Sequence, residues 1–174
     1  ENVMFFSSNR PGGKGGKDIY MSKKLPNGDW ADPVNLEGIN TEFDEDAPFV
    51  HSDNRTLYFA SEGHKTMGGF DIFMSMMDND GNWTEPQNIG YPINTTDDDI
   101  YFVWAGDGKN GYLASIRDDS YGDKDIYVVK RLVETASFMV LKGTVLDYET
   151  NEPVAGIIKM FDEAEHMAGF FTSD

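Results

Sequence analysis

Two acidic triplets contain the residues of this sequence that are best suited to chemistry. Asp44-Glu45-Asp46 and Asp97-Asp98-Asp99 each stand directly before a short apolar run. Carboxylates grouped in this way can ligate a hard divalent cation, or they can bind a basic segment of a partner protein. The alternative is structural: Asp44 and Asp98 would cap turns while the other carboxylates are solvated. The sequence leaves open whether a metal binds there.

Three further patterns are weak matches to catalytic or ligand-binding sites. The GGKGGKD run at residues 12–18 lacks the Ser or Thr that follows the lysine of a phosphate-binding loop. The DNDG run at 78–81 has an isoleucine where a calcium loop needs a glutamate at its twelfth position. No G-x-S-x-G accompanies His51, His64 or His166, and we expect the first two to be solvated turn residues. The sequence therefore predicts no catalytic residue, no cofactor and no enzyme.

The overall charge excludes several classes of partner. Fourteen Lys and Arg face 31 Asp and Glu, which gives a formal net charge of −17. So acidic a surface repels phosphate backbones and anionic lipid head groups, and we expect neither nucleic acid nor a membrane surface as partner. Cysteine is absent, which excludes disulfides and cysteine-ligated zinc. The longest apolar run, at 100–105, is far shorter than the roughly 20 residues of a transmembrane helix, so no transmembrane segment is predicted.

The chain repeats itself with a period of 53 to 54 residues. The segments MFFSSNRPGGKGGKDIYMS, LYFASEGHKTMGGFDIFMS and GYLASIRDDSYGDKDIYVV align without gaps. Repeats of about this length are typical of stacked supersecondary units. An aspartate that recurs in every repeat indicates a structural role, because a catalytic aspartate is needed only once. The repeated anchors are Asp18, Asp71 and Asp125, the glycines Gly15, Gly16, Gly68 and Gly69, and the tryptophans Trp30 and Trp83.

Each full repeat contains four short runs rich in aromatic and β-branched residues, separated by turn residues. Four strands joined by tight turns form one blade of a β-propeller. We expect the paired glycines to adopt positive φ at the turn between the second and third strands. We expect the aspartate after them to accept hydrogen bonds from turn amides, and the tryptophan of the fourth strand to fill space between blades.

The runs LYFAS, GGFDIF and GNWTEPQNIGYPINT resemble the WD40-like (PD40-type) β-propeller repeats of bacterial cell-envelope proteins. The resemblance covers residues 1–131, and we place a partial propeller at 1–132. After it, GTV and DYETNEPVAG resemble the first strands of a carboxypeptidase-regulatory-like, Ig-like β-sandwich at 133–174. The predicted fold is thus all-β, with the C-terminal blades of a propeller of four-stranded blades followed by the beginning of a sandwich. We expect the fourth strand of the last blade to come from upstream of Glu1.

This resemblance implies a non-catalytic protein-interaction or scaffold segment. Such repeats often occur in chains with an OmpA-type peptidoglycan-binding domain, and the order of propeller and sandwich resembles the peptidoglycan-associated subunit of the type IX secretion machinery. It implies a periplasmic, outer-membrane-associated location and envelope or secretion-machinery proteins as partners. Peptidoglycan contact would be made through a domain outside this chain. Two alternatives stay open: a glycan-binding propeller, or an accessory propeller of a larger hydrolase.

Overall fold

The computed structural model describes residues 2–131, 144–161 and 167–172. These residues form antiparallel β-sheets joined by turns, which confirms the all-β prediction. The chain divides into two compact units, at 1–133 and 134–174. None of the described residues belongs to a helix that could cross a membrane.

The first unit contains three sheets whose strands follow the sequence repeat. Its strands are β1 (Val3–Ser8), β2 (Asp18–Lys23), β3 (Val34–Asn35), β4 (Glu45–Val50), β5 (Thr56–Ser61), β6 (Asp71–Met76), β7 (Gln87–Asn88), β8 (Asp99–Trp104), β9 (Asn110–Ser115) and β10 (Asp125–Lys130). The first sheet has the order β1-β2-β3, the second β4-β5-β6-β7 and the third β10-β9-β8. All neighbouring strands are antiparallel. The second sheet is therefore a four-stranded meander, and the first and third contain three of the same four strands within the described residues.

The repeat extends to a backbone irregularity in the first strand of the meander. β4 and β8 each contain a register shift after their second residue. Ala47 and Tyr101, which occupy equivalent positions in these shifts, have φ angles of 52° and 60°. Left-handed backbone is uncommon at residues other than glycine, so its recurrence identifies a bulge that belongs to the repeat.

Apolar side chains of neighbouring sheets pack into two core clusters. β5 contributes to both, because its alternating side chains point to opposite faces of the sheet. This strand is buried along its whole length, as expected for a sheet that is covered on both faces. The first cluster consists of Ile19, Leu36, Ile39, Leu57, Phe59 and Phe73. The second consists of Tyr58, Ala60, Ile72, Ile100, Phe102 and Leu113.

In the first and second sheets, a buried asparagine in the loop after the last strand (β3 or β7) forms hydrogen bonds with the strand before it (β2 or β6). Asn40 accepts a hydrogen bond from the Ile19 N–H at 2.7 Å and donates one to the Ile19 carbonyl at 2.8 Å. Asn94 makes the same two bonds with Ile72, both at 2.8 Å. These asparagines come from the repeated Ile-Asn-Thr motif. The two-residue strands β3 and β7 do not pair with Ile19 and Ile72. The asparagine side chains provide hydrogen-bond partners for the backbone groups of these two residues.

The paired glycines do not have the positive φ that we predicted, although other glycines such as Gly12 and Gly81 do. Close packing explains them instead. A Cβ on Gly15 would lie 1.7 Å from the Phe43 carbonyl oxygen, and one on Gly68 would lie 2.4 Å from the Asp97 carbonyl oxygen. A Cβ on Gly16 would lie 2.3 Å from Oδ1 of Asp44, and one on Gly69 would lie 2.2 Å from Oδ1 of Asp98. The prediction is wrong for Gly15, Gly16, Gly68 and Gly69.

The repeated tryptophans lie just before β3 and β7 and not within them. Trp30 and Trp83 form isolated antiparallel bridges with Lys24 and Met77. Trp83 packs edge-on against Phe5 of the first sheet, with ring centroids 5.9 Å apart. It therefore fills space between two sheets, whereas Trp30 is 44% exposed.

The second unit contains one described sheet of two strands, β11 (Ile157–Phe161) and β12 (Met167–Thr172). A turn precedes it, closed by a bridge between Leu146 and Pro153 and by hydrogen bonds to the Asp147 carboxylate. The strand expected from the run at 139–145 lies largely outside the described residues.

Candidate functional site

The acidic triplets lead into the equivalent strands β4 and β8, and their members differ in environment. Glu45 is fully buried at the start of β4. Its carboxylate accepts hydrogen bonds from the N–H and hydroxyl of Thr41 at 2.8 and 2.7 Å and from the Ser61 hydroxyl at 2.8 Å. Three hydrogen-bond donors therefore occupy the Glu45 carboxylate, which makes it a structural residue and not a free ligand.

Asp99 is the equivalent residue of the next repeat and is also fully buried. One of its oxygens accepts hydrogen bonds from the N–H and hydroxyl of Thr95, at 2.6 and 2.9 Å. The other has no hydrogen-bond partner among the described residues and lies 3.6 Å from Nη2 of Arg117. Glu45 accepts a hydrogen bond from Ser61, but Asp99 accepts none from the equivalent Ser115. The aspartate side chain is one methylene shorter than that of glutamate and does not reach this serine.

Asp44 and Asp98 cap the turn of the preceding sheet. Asp44 accepts a hydrogen bond from the Lys17 N–H at 2.9 Å, and Asp98 accepts one from the Phe70 N–H at 3.1 Å. Asp98 also pairs with the Lys124 ammonium at 3.0 Å. That hydrogen bond is the main reason why the pKa of Asp98 is lowered. Each of these aspartates thus links two neighbouring sheets.

The remaining two acids have no equivalent in the other repeat. Asp46 pairs with the Lys17 ammonium at 2.7 Å and accepts a hydrogen bond from the Ser7 hydroxyl. Burial raises the pKa of Asp46, but these hydrogen bonds and one from the Ala47 N–H outweigh it, so the net pKa is lowered. Asp97 is exposed.

Glu62 is a residue of this site that the sequence analysis did not identify. It is exposed and directly follows β5, and its N–H donates a hydrogen bond to the Asp44 carbonyl at 3.1 Å. Partial burial raises the pKa of Glu62, and so do the negative charges of Asp44, Asp98 and Glu45. The only hint in the sequence is that the equivalent positions hold Asn9 and Ile116, which cannot carry this charge.

We call Asp44, Glu62 and Asp98 the acidic mouth. It joins carboxylates from the loops before β4 and β8 and from the turn after β5. After burial, the negative charges of Asp44 and Asp98 contribute to the raised pKa of Glu62, as expected for carboxylates in one region of negative potential. No three Asp, Glu or His side chains in the described part of the chain are grouped as a metal site would require. Carboxylates that lie in one region attract positive charge through their combined potential.

The repeated aspartates stabilise the turns that precede β2, β6 and β10. Asp18, Asp71 and Asp125 accept a hydrogen bond from the N–H four residues earlier, at 2.8, 2.5 and 2.6 Å. Asp71 also accepts one from the Asn88 side chain at 2.8 Å. These contacts recur once per repeat and belong to the architecture of the sheet.

The histidines do not form a catalytic arrangement among the described residues. His64 is half-buried, against our expectation of a solvated residue: its Nε2 lies 2.8 Å from the Ile39 carbonyl and its ring 5.1 Å from that of Phe73. His51 pairs with Asp53, with Nδ1 and Oδ2 3.2 Å apart. His166 lies outside the described residues.

No protein-family model and no curated protein matches this chain.

Proposed function

We propose that residues 1–132 are part of a β-propeller built from WD40-like repeats and that residues 133–174 begin a carboxypeptidase-regulatory-like β-sandwich. The support is the four-stranded antiparallel meander of the complete repeat and the packing of successive meanders through equivalent apolar faces. The strand and turn of the described second unit are compatible with the opening of a sandwich.

We further propose that the chain is a non-catalytic scaffold that docks other proteins. It would belong to a periplasmic, outer-membrane- and peptidoglycan-associated protein of the kind found in the type IX secretion machinery, with the cell wall contacted through a domain outside this chain. The observation that carries the docking role is that Glu62 lies against the loop of Asp44, with its N–H donating to the Asp44 carbonyl at 3.1 Å. Burial and the negative charges of Asp44 and Asp98 raise the pKa of Glu62. A basic partner segment would relieve this repulsion, which makes the acidic mouth the preferred docking surface.

The structural use of the other carboxylates supports a non-catalytic role. Glu45 accepts hydrogen bonds from Thr41 and Ser61, and each repeated aspartate accepts one from the turn before its strand. A general acid or base needs a proton that it can exchange with substrate, and a carboxylate held by several fixed donors is poorly suited to this task.

The test is capture of cell-envelope proteins on the immobilised chain, compared between wild type and the double variant Glu62→Gln, Asp98→Asn. We expect specific envelope proteins to be recovered by wild type and to fall by about tenfold with the double variant, because two charges of the docking surface are lost. Added salt should weaken the same interaction, since the charges are exposed.

The matched control is Glu85→Gln, which removes an exposed acid of the same type that lies outside the acidic mouth. It should capture the same proteins as wild type. Equal recovery by the double variant would refute the acidic mouth as docking surface. Recovery of cell-wall glycan without protein would refute the scaffold and favour the glycan-binding alternative.

A further inference from the structure

An open cleft of about 1170 Å³ lies between the first and second sheets, near the start of β1 and the end of β4. Its volume is within the order of magnitude of small-molecule sites, which are roughly 300–1,000 Å³. Apolar side chains make up much of its wall, among them Phe5, Met21, Val50 and Trp83. None of the proposed docking residues of the acidic mouth contributes to it.

The residues beside this space differ from those at the equivalent place in the next repeat. Val50 pairs with Leu57 at the end of β4, and Trp104 pairs with Gly111 at the equivalent place at the end of β8. The partly buried Trp104 indole packs edge-on against Phe102, with ring centroids 5.2 Å apart, and lies against the second core cluster. The Trp104 ring lies over Gly111, whereas Val50 lies beside the buried Leu57, so the first interface has no aromatic ring at the end of β4.

The charge of the cleft is opposite to that of the protein. Lys23 and Lys24 line it, and none of the described residues that line it is an aspartate or glutamate. His51 also lines it but pairs with Asp53. This is unexpected in a chain with 31 acidic and 14 basic residues. The cleft is therefore a local cationic region with an apolar floor, and an anion with an apolar body is the chemistry that complements it.

We propose that this cleft binds an amphipathic carboxylate, an acyl chain with an anionic head. The acyl chain lies against Phe5, Trp83 and the flexible Met21, where methionine adapts to an unbranched chain. The carboxylate pairs with Lys23 and Lys24 at the edge of the cleft. This site is independent of the proposed docking function, because it uses different residues and a ligand of opposite charge.

The test uses decanoate as the probe, below its micelle concentration, with the full chain and calorimetry as the readout. We expect saturable binding, and binding of decanol weaker by about tenfold because the alcohol cannot pair with the lysines. Tryptophan emission reports the location, since Trp30 and Trp83 line the cleft and are two of the three tryptophans. A shift in emission should accompany the heat.

Two variants decide whether the probe occupies this cleft. Val50→Trp places a larger side chain at a residue that lines the cleft, so it should fill the cleft and abolish the heat of binding. Lys23→Gln with Lys24→Gln changes only exposed residues and should weaken decanoate binding by about tenfold without affecting decanol. Lys109→Gln, at an exposed position in the turn between β8 and β9, should bind like wild type.

Absence of saturable decanoate binding would overturn the proposal. Undiminished binding by a folded Val50→Trp variant would overturn it as well, since the probe would then lie elsewhere. If Val50→Trp does not fold, the double lysine variant decides: equal affinity of this variant and wild type for decanoate would refute the cationic edge. Equal binding of decanoate and decanol to wild type would do the same.

Discussion

At the scale of single residues, carboxylates that are close in the sequence have different tasks because their donors differ. Glu45 is surrounded by three hydrogen-bond donors and is buried. Partial burial and the negative charges of Asp44, Asp98 and Glu45 raise the pKa of Glu62. The first stabilises the start of a strand, whereas the second is held in an unfavourable electrostatic environment, which is what a docking surface for a basic partner requires.

Glu62→Gln is expected to stabilise the protein at neutral pH. The pKa of Glu62 is raised in the folded protein, so its contribution to stability is complete below the ordinary pKa of a glutamate and is lost as the pH rises through the raised value. The variant should therefore unfold at a higher temperature than wild type at about pH 7 and at the same temperature at about pH 3. Thermal unfolding followed by circular dichroism measures both.

The stabilisation should shrink in high salt, because Glu62 is exposed and its repulsion is screened. Glu85→Gln provides the control and should leave the unfolding temperature unchanged at either pH. A destabilised Glu62→Gln at neutral pH would contradict the assigned environment. Together with weaker partner capture, a gain in stability would show that this residue serves binding at the expense of the fold.

At the scale of elements, neighbouring sheets are joined by direct contact between a turn and a loop. The turn before β2 or β6 carries two glycines, and the loop that enters the next sheet lies against them. Asp44 and Asp98 accept hydrogen bonds from backbone N–H groups of the same turns. The backbones can approach this closely only where no side chain intervenes.

Gly68→Ala should destabilise the first unit by about 2–4 kcal/mol, because its Cβ would meet backbone atoms that cannot move independently. The contacts are the Asp97 carbonyl oxygen at 2.4 Å and the Thr96 carbonyl carbon at 2.7 Å. Urea unfolding at equilibrium measures the change. Gly106→Ala is the control, since nothing lies within 4 Å of its Cβ, and it should change stability by less than about 0.5 kcal/mol. Equal effects of the two substitutions would contradict the packing explanation.

At the scale of the whole first unit, the three sheets expose and bury equivalent residues to different degrees. Ile19, Ile72 and Ile126 occupy the same position of the repeat. The first two are completely buried in the two core clusters, whereas Ile126 is 78% exposed. The contribution of this isoleucine to stability therefore depends on whether another sheet covers it.

Ile72→Ala and Ile126→Ala form a matched pair that measures this dependence. The first should cost about 2–5 kcal/mol of unfolding free energy, because it removes buried methyl and methylene groups and leaves a cavity. The second should cost less than about 0.5 kcal/mol, as is usual for exposed positions. Urea denaturation of both variants tests the pair. Similar losses at the two positions would mean that Ile126 is covered in solution.

The all-β architecture and the position of the strands follow from the sequence, because they depend on patterns that recur at a fixed spacing. The repeated aspartates, the asparagines of the Ile-Asn-Thr motif and the apolar runs are local signals, and each acts on residues of its own repeat. The acidic triplets were also visible as candidates. Their separation into buried structural acids such as Glu45 and mouth residues such as Asp98 was not.

Only the tertiary structure decided the features that depend on contacts between repeats. A loop of the following sheet lies so close to the paired glycines that only glycine fits there. The position of that loop cannot be inferred from the sequence of the turn that contains the glycines. Glu62 became part of the acidic mouth because folding brings it near Asp44 and Asp98. The cleft beside Val50 is open because a neighbouring sheet does not fill it. Local patterns specify which elements form, but the space and the charge between elements are properties of their packing.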